Sequence, residues 1–133
     1  MSKSVVPALL ALATFSGYSL VSGAPYLEAM LPGGLPLGNA LAAVALCAIA
    51  GAAFSLSARG TMLRAVSGVS LLLTATWLPL SAGLAGNLAL NFGNGRGSAW
   101  VGWTLLVAAL AVGTLAWALV AALLRRARRA RAG

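Results

Sequence analysis

The sequence predicts an all-α integral membrane protein: four transmembrane helices in a small up-down bundle, with a short interfacial helix in the first external loop. Three observations carry that prediction. The 133 residues are 61% hydrophobic and only 8% charged, whereas a soluble domain carries roughly 25% charged residues. Mean hydropathy is +0.97, and the apolar residues fall into four runs separated by turn-forming or basic segments. Each run is close to the roughly 20 residues needed to cross a bilayer, so the chain forms a single membrane domain with little mass outside it.

The first span covers residues 4–22, with Pro7 in its opening turns, where a missing N–H is tolerated. Residues 23–38 (GAPYLEAMLPGGLPLG) then contain three prolines and four glycines, too many for a continuous helix. Within them Pro25 can start, and Pro32-Gly33-Gly34 can stop, a helix of about two turns lying in the interface, with Leu27, Met30 and Leu31 on one side and Glu28 toward water. The second span covers residues 39–56, opened by Asn39 as a helix cap. The third covers residues 65–84, with Pro79 breaking its hydrogen-bond ladder at the carbonyl of Ala75 and Thr76 placed to help satisfy that carbonyl. Residues 93–98 (GNGRGS) form a loop, and the fourth span covers residues 99–124 before a basic tail, residues 125–133. At 1.5 Å per residue a 26-residue span is about 39 Å long, more than the hydrocarbon core, so it tilts or protrudes.

Positive charge sets the orientation. With the amino terminus inside, Lys3, Arg59, Arg64 and the tail arginines are cytoplasmic and Arg96 alone is external, eight against one. Both termini are then cytoplasmic, and the bias toward Ala, Leu, Gly and Arg, with Lys used once, suggests a bacterium with GC-rich codons, so a bacterial inner membrane is the expected location. Trp100 and Trp103 fit an external interfacial belt, with Trp77 near the outer end of the third span. Two further readings are open at this level. Lys3, the apolar run and Ser22-Gly23-Ala24 resemble a signal peptide, although Pro25 fits a first mature position poorly. The two external connections are also of similar length, as in a parallel duplication.

The side chains exclude most chemistry. The chain has no histidine and no aspartate, Glu28 is its one carboxylate, and Cys47 its one thiol. Paired-carboxylate, Ser-His-Asp and multi-ligand metal sites cannot be built from that supply, so neither enzyme activity nor a cofactor is expected. An intramembrane acid for proton coupling is missing as well, because Glu28 falls in a loop.

Four features remain. Ala43, Cys47, Gly51 and Ser55 recur every fourth residue and form a small-residue face for close helix packing, within the chain or against another subunit. Ser67, Ser70, Thr74 and Ser81 form a hydroxyl stripe, with Trp77 at the intervening position, that suits internal packing or a polar path. Glu28, Asn87, Asn91 and Arg96 are the external polar residues from which a shallow site would be made. Arg125, Arg126, Arg128, Arg129 and Arg131 follow a span directly, which places them against anionic lipid headgroups rather than nucleic acid. The expected function is an accessory, assembly or structural subunit, partnered by another membrane protein or by copies of itself; the alternative is a small oligomeric transporter or channel with a hydroxyl-lined path.

Overall fold

A computed structural model of the chain describes residues 4–32, 35–84 and 95–131, with the side chain of Arg96 not among them. The fold is all-helical in its body: α1 (Val5–Val21), α2 (Leu37–Leu56), α3 (Met62–Gly83) and α4 (Gly95–Arg131). Leu37–Leu56, Met62–Gly83 and Gly97–Arg131 are each long and apolar enough to cross a membrane, while α1 is an apolar helix of 17 residues. Three such helices in one small bundle suggest a membrane protein.

The interior is set by a seven-residue period. On α3 the buried positions are Leu63, Ser67, Ser70, Thr74, Trp77 and Ser81, spaced alternately by four and three. Trp100, Val107, Ala111, Thr114 and Ala118 repeat the pattern on α4, and Asn39, Ala43, Leu46, Ala50 and Ala53 repeat it on α2. A period of 3.5 keeps one seam facing a neighbour along the whole length of a slightly supercoiled pair. Ala43 and Leu46 cluster with Trp77, Trp100 and Val107 toward one end, and Ala53 clusters with Leu63 and Ala118 toward the other. Thus α2 runs antiparallel to α3 and parallel to α4. Helix α1 packs on the remaining side of α2, with Leu9 against Gly51 and Leu20 against the cluster containing Ala42 and Ala43, so it too is antiparallel.

Alanine dominates the seam of α2, and Ala50, Ala52 and Ala53 are fully buried. With so little side chain between them, helix backbones approach closely, which is how helices gain van der Waals energy in an apolar solvent. Large apolar side chains point outward instead: Phe15 on α1, Leu72 on α3, and Leu105, Trp117 and Leu123 on α4 are at least half exposed.

The boundaries of four elements depart from expectation. Residues 25–28 form a single 3-10 turn, Pro25–Glu28, not a two-turn helix, and β1 (Met30–Leu31) pairs antiparallel with β2 (Leu35–Pro36). Leu37 N–H donates to Ala29 O at 2.9 Å, tying this connection to the start of α2. Asn39 does not cap α2: the helix begins two residues earlier, after Pro36, and Asn39 is buried in its first turn. Thr61, passed over in the sequence, caps α3 by accepting from Arg64 N–H at 3.2 Å, so that helix starts at Met62 and not at residue 65. Finally, α4 starts at Gly95, inside the expected 93–98 loop and four residues before the expected start at residue 99, and does not stop at Leu124 but continues through the arginines to Arg131, giving 37 residues. Glycine is required at two turns: Gly23 (φ 61°) ends α1, and Gly60 (φ 75°) lies in the connection between α2 and α3.

Candidate functional site

The hydroxyl stripe of α3 faces the interior. Ser67, Ser70, Thr74 and Ser81 are all fully buried, and so is Trp77 among them. Near one end Asn39 Nδ2 donates to Ser81 Oγ at 3.2 Å, and Trp100 Nε1 donates to the same oxygen at 2.7 Å. One hydroxyl thereby joins α2, α3 and α4. One turn away Trp77 Nε1 donates to Thr104 Oγ1 at 2.9 Å, and that hydroxyl donates to Trp100 O at 2.8 Å. The rings of Trp77 and Trp100 lie 6.3 Å apart at 46°, within the range of favourable aromatic pairs. Of the two tryptophans expected in an interfacial belt, Trp100 is turned into the bundle toward Ser81, and Trp77 packs beside it on the seam.

At the opposite end Ser57 Oγ and Ser67 Oγ are 3.3 Å apart, and Ser57 Oγ also donates to Ala53 O at 2.7 Å. Thr74 donates to Leu71 O at 2.9 Å within its own helix. Thr76 donates to Leu73 O at 2.9 Å, which corrects the expectation that it would serve the carbonyl freed by Pro79. Ser16 Oγ, Ser70 Oγ and Trp103 Nε1 are the buried polar atoms among the described residues that have no hydrogen-bond partner. Two of the four stripe hydroxyls, Ser67 and Ser81, thus bond to residues outside α3. A path along the stripe would have to pass the fully buried Trp77.

Removal of Ser81 Oγ strands the Trp100 indole N–H in the interior, where an unmet donor costs on the order of 1 kcal/mol or more. Ser81→Ala is expected to lower stability by about that amount in a detergent denaturation titration, and to cost much less in a Trp100→Phe background. Equal losses in both backgrounds would show that the two side chains are not coupled.

The small-residue face meets α1 at its centre. A Cβ on Gly51 would lie 3.5 Å from Leu9 Cδ1; Ala43 is buried, and Cys47 and Ser55 are half-buried. At the far end of α2 its last carbonyls are held by arginines. Arg64 Nη1 donates to Phe54 O at 3.1 Å and to Ser57 O at 3.2 Å, with its guanidinium 3.9 Å from the Phe54 ring centroid. Arg125 Nη2, from α4, donates to Leu56 O at 2.8 Å. Cations at the negative end of a helix are favourable, and both arginines supply donors that helix carbonyls otherwise lack. No local pattern in the sequence distinguishes Arg125 from the other tail arginines.

Of the external polar group, Glu28 is exposed in the 3-10 turn, as is Tyr26 beside it. Asn87 and Asn91 lie outside the described residues, as does the side chain of Arg96. Arg126, Arg128, Arg129 and Arg131 are exposed on the last turns of α4. No family model, curated protein or solved structure matches this chain.

Proposed function

We propose that this chain is a non-catalytic accessory, assembly or structural subunit of a complex in a bacterial inner membrane. In this reading α1 is a fourth span, the α1–α2 connection lies at the external interface, and both termini are cytoplasmic. One observation carries it: Asn39, Ser57, Ser67, Trp77, Ser81, Trp100 and Thr104 bond to one another across the α2, α3 and α4 seam, while the outward faces of α1, α3 and α4 are apolar. A chain built this way acts through its outer surface, by holding a neighbour or being held, because its interior is occupied by its own side chains. The residue supply agrees, since one carboxylate and one thiol give no general acid–base pair.

The charge distribution supports the orientation. Arg59, Arg64 and the tail arginines gather at the Leu56 end of α2, and the one acidic residue, Glu28, precedes its other end. A 20-residue helix separates them by about 30 Å, the thickness of the hydrocarbon layer.

Gentle extraction of the tagged chain from its native membrane, followed by native mass spectrometry, tests the function. Larger partners at fixed stoichiometry are the expected result. A chain recovered alone or only with copies of itself, and carrying solute flux when reconstituted, would overturn the proposal in favour of a transporter or pore.

A further inference from the structure

The ends of α2 and α4 bring together more than a diffuse basic tail. Arg125 is pinned to Leu56 O and Arg64 to Phe54 O and Ser57 O, so the first turn of the basic extension is fixed against the connection that carries Arg59. Arg59 is exposed there, three residues beyond the end of α2. Arg128 and Arg129, three and four residues beyond Arg125, return to its face of the helix, about 5–6 Å further along the axis. Arg126 and Arg131 are rotated from that face by about 100° and about 120° in opposite directions. No acidic side chain is near among the described residues: Glu28, the only one in the sequence, lies before the other end of α2.

This cluster also has a definite depth. It begins level with Leu56, where the apolar length of α2 ends, and extends outward over a distance comparable to a headgroup layer. A set of unneutralised guanidinium groups at that level calls for phosphate, the group whose geometry arginine matches with paired donors.

We propose that Arg59, Arg128 and Arg129, held in place by Arg64 and Arg125, form a defined site for the phosphate of an anionic phospholipid headgroup. Arg126 and Arg131 interact with the membrane surface only as general charge. This rests on the membrane placement above but not on the identity of any partner subunit. Arg64 and Arg125 occupy the carbonyls of α2 with some of their N–H groups and orient the site; Arg59, Arg128 and Arg129 supply its free donors.

The test uses the full chain reconstituted in phosphatidylcholine vesicles with and without phosphatidylglycerol. Flotation is measured first, then native mass spectrometry of retained lipid. The wild-type chain is expected to retain phosphatidylglycerol selectively. The pair Arg128→Gln/Arg129→Gln should weaken retention about fivefold for each arginine removed, and Arg59→Gln alone about fivefold. The pair Arg126→Gln/Arg131→Gln removes the same charge and should change retention little. All of these variants leave Arg64 and Arg125 in place and so keep the end of α2 closed.

Equal losses in the two pairs would overturn the defined site and leave only surface attraction. Displacement of the lipid by inorganic phosphate, at matched ionic strength with chloride as the control, would overturn the lipid as occupant and point to a soluble phosphate. A chain that floats but retains both lipids alike overturns the site while leaving the membrane placement intact. A chain that does not float overturns the placement itself and the proposal with it.

Discussion

Replacement of Trp77 by alanine is expected to destabilise the bundle by about 3 kcal/mol, among the largest effects of any single substitution. The side chain is fully buried between α2, α3 and α4, and it belongs to the cluster that includes Ala43, Leu46, Trp100 and Val107. Large-to-small changes of this kind typically cost about 3–5 kcal/mol in soluble cores. The lower end applies here because transfer from water contributes little when the unfolded helices remain in lipid or detergent. What is lost is close contact, the ring pair with Trp100, and the bond from Nε1 to Thr104. Trp77→Phe keeps most of the contact and loses the bond, so its expected cost is about 1 kcal/mol. Denaturation in mixed micelles, followed by helicity, separates the two; near-equal midpoints for both variants would mean that the ring does not fill the seam.

The second large effect comes from adding bulk. Ala50 is fully buried on the seam of α2, between Leu46 and Ala53, where neighbouring helices are drawn close by the absence of side chain. Ala50→Leu is expected to cost about 3 kcal/mol, the upper end for overpacking, because the alanine is already fully buried and leaves no exposed side for the added carbons. Gly51, one residue along, gives the contrast. A Cβ there meets only the Leu9 side chain, Cδ1 at an ordinary 3.5 Å and Cδ2 at 3.9 Å, and alanine is the better helix former by about 1 kcal/mol. Gly51→Ala is therefore expected to be neutral or slightly stabilising. The same titration measures both, and a tolerated leucine at position 50 would place that face outside the bundle.

These effects trace to a pattern that was only partly legible in the sequence. Four apolar segments were readable from hydropathy alone, because a bilayer-length run free of charge has few alternatives. The stripe of Ser67, Ser70, Thr74 and Ser81, with Trp77 in register, was readable too, since helical spacing places those residues on one face whatever surrounds it. Its direction was not. Whether hydroxyls face a path or a neighbouring helix depends on which helix lies opposite, and the matching seven-residue spacing of Asn39, Leu46 and Ala53 on α2 was the signal that could have shown it.

Asn39 was misread for a related reason. Asparagine before an apolar run is a good cap by local preference, but the paired strands Met30–Leu31 and Leu35–Pro36 deliver the chain into the helix earlier and turn Asn39 inward to Ser81. Trp100 was misread similarly, because a tryptophan at a span end has two favourable places and only the position of Ser81 selects the inner one. Arg125 marks the limit at the other end. Its role depends on the nearby Leu56 carbonyl, 69 residues away in sequence, and no local pattern carries that information.

If the protein works through its surface, as proposed, its interior is closed to water along the whole hydroxyl stripe. The most direct measurement is the accessibility of position 70 to water. In a Cys47→Ala background, Ser70→Cys is placed at the middle of the stripe, where the native side chain is fully buried, and is challenged in native membranes with a small water-soluble, membrane-impermeant thiol reagent applied from either side. No labelling is expected until the bundle is denatured, with Ser57→Cys at the Leu56 end and an exposed Thr61→Cys as graded controls. Rapid labelling of position 70 from water in the folded protein would contradict the proposal, because a water-filled path would then run along the hydroxyls of α3.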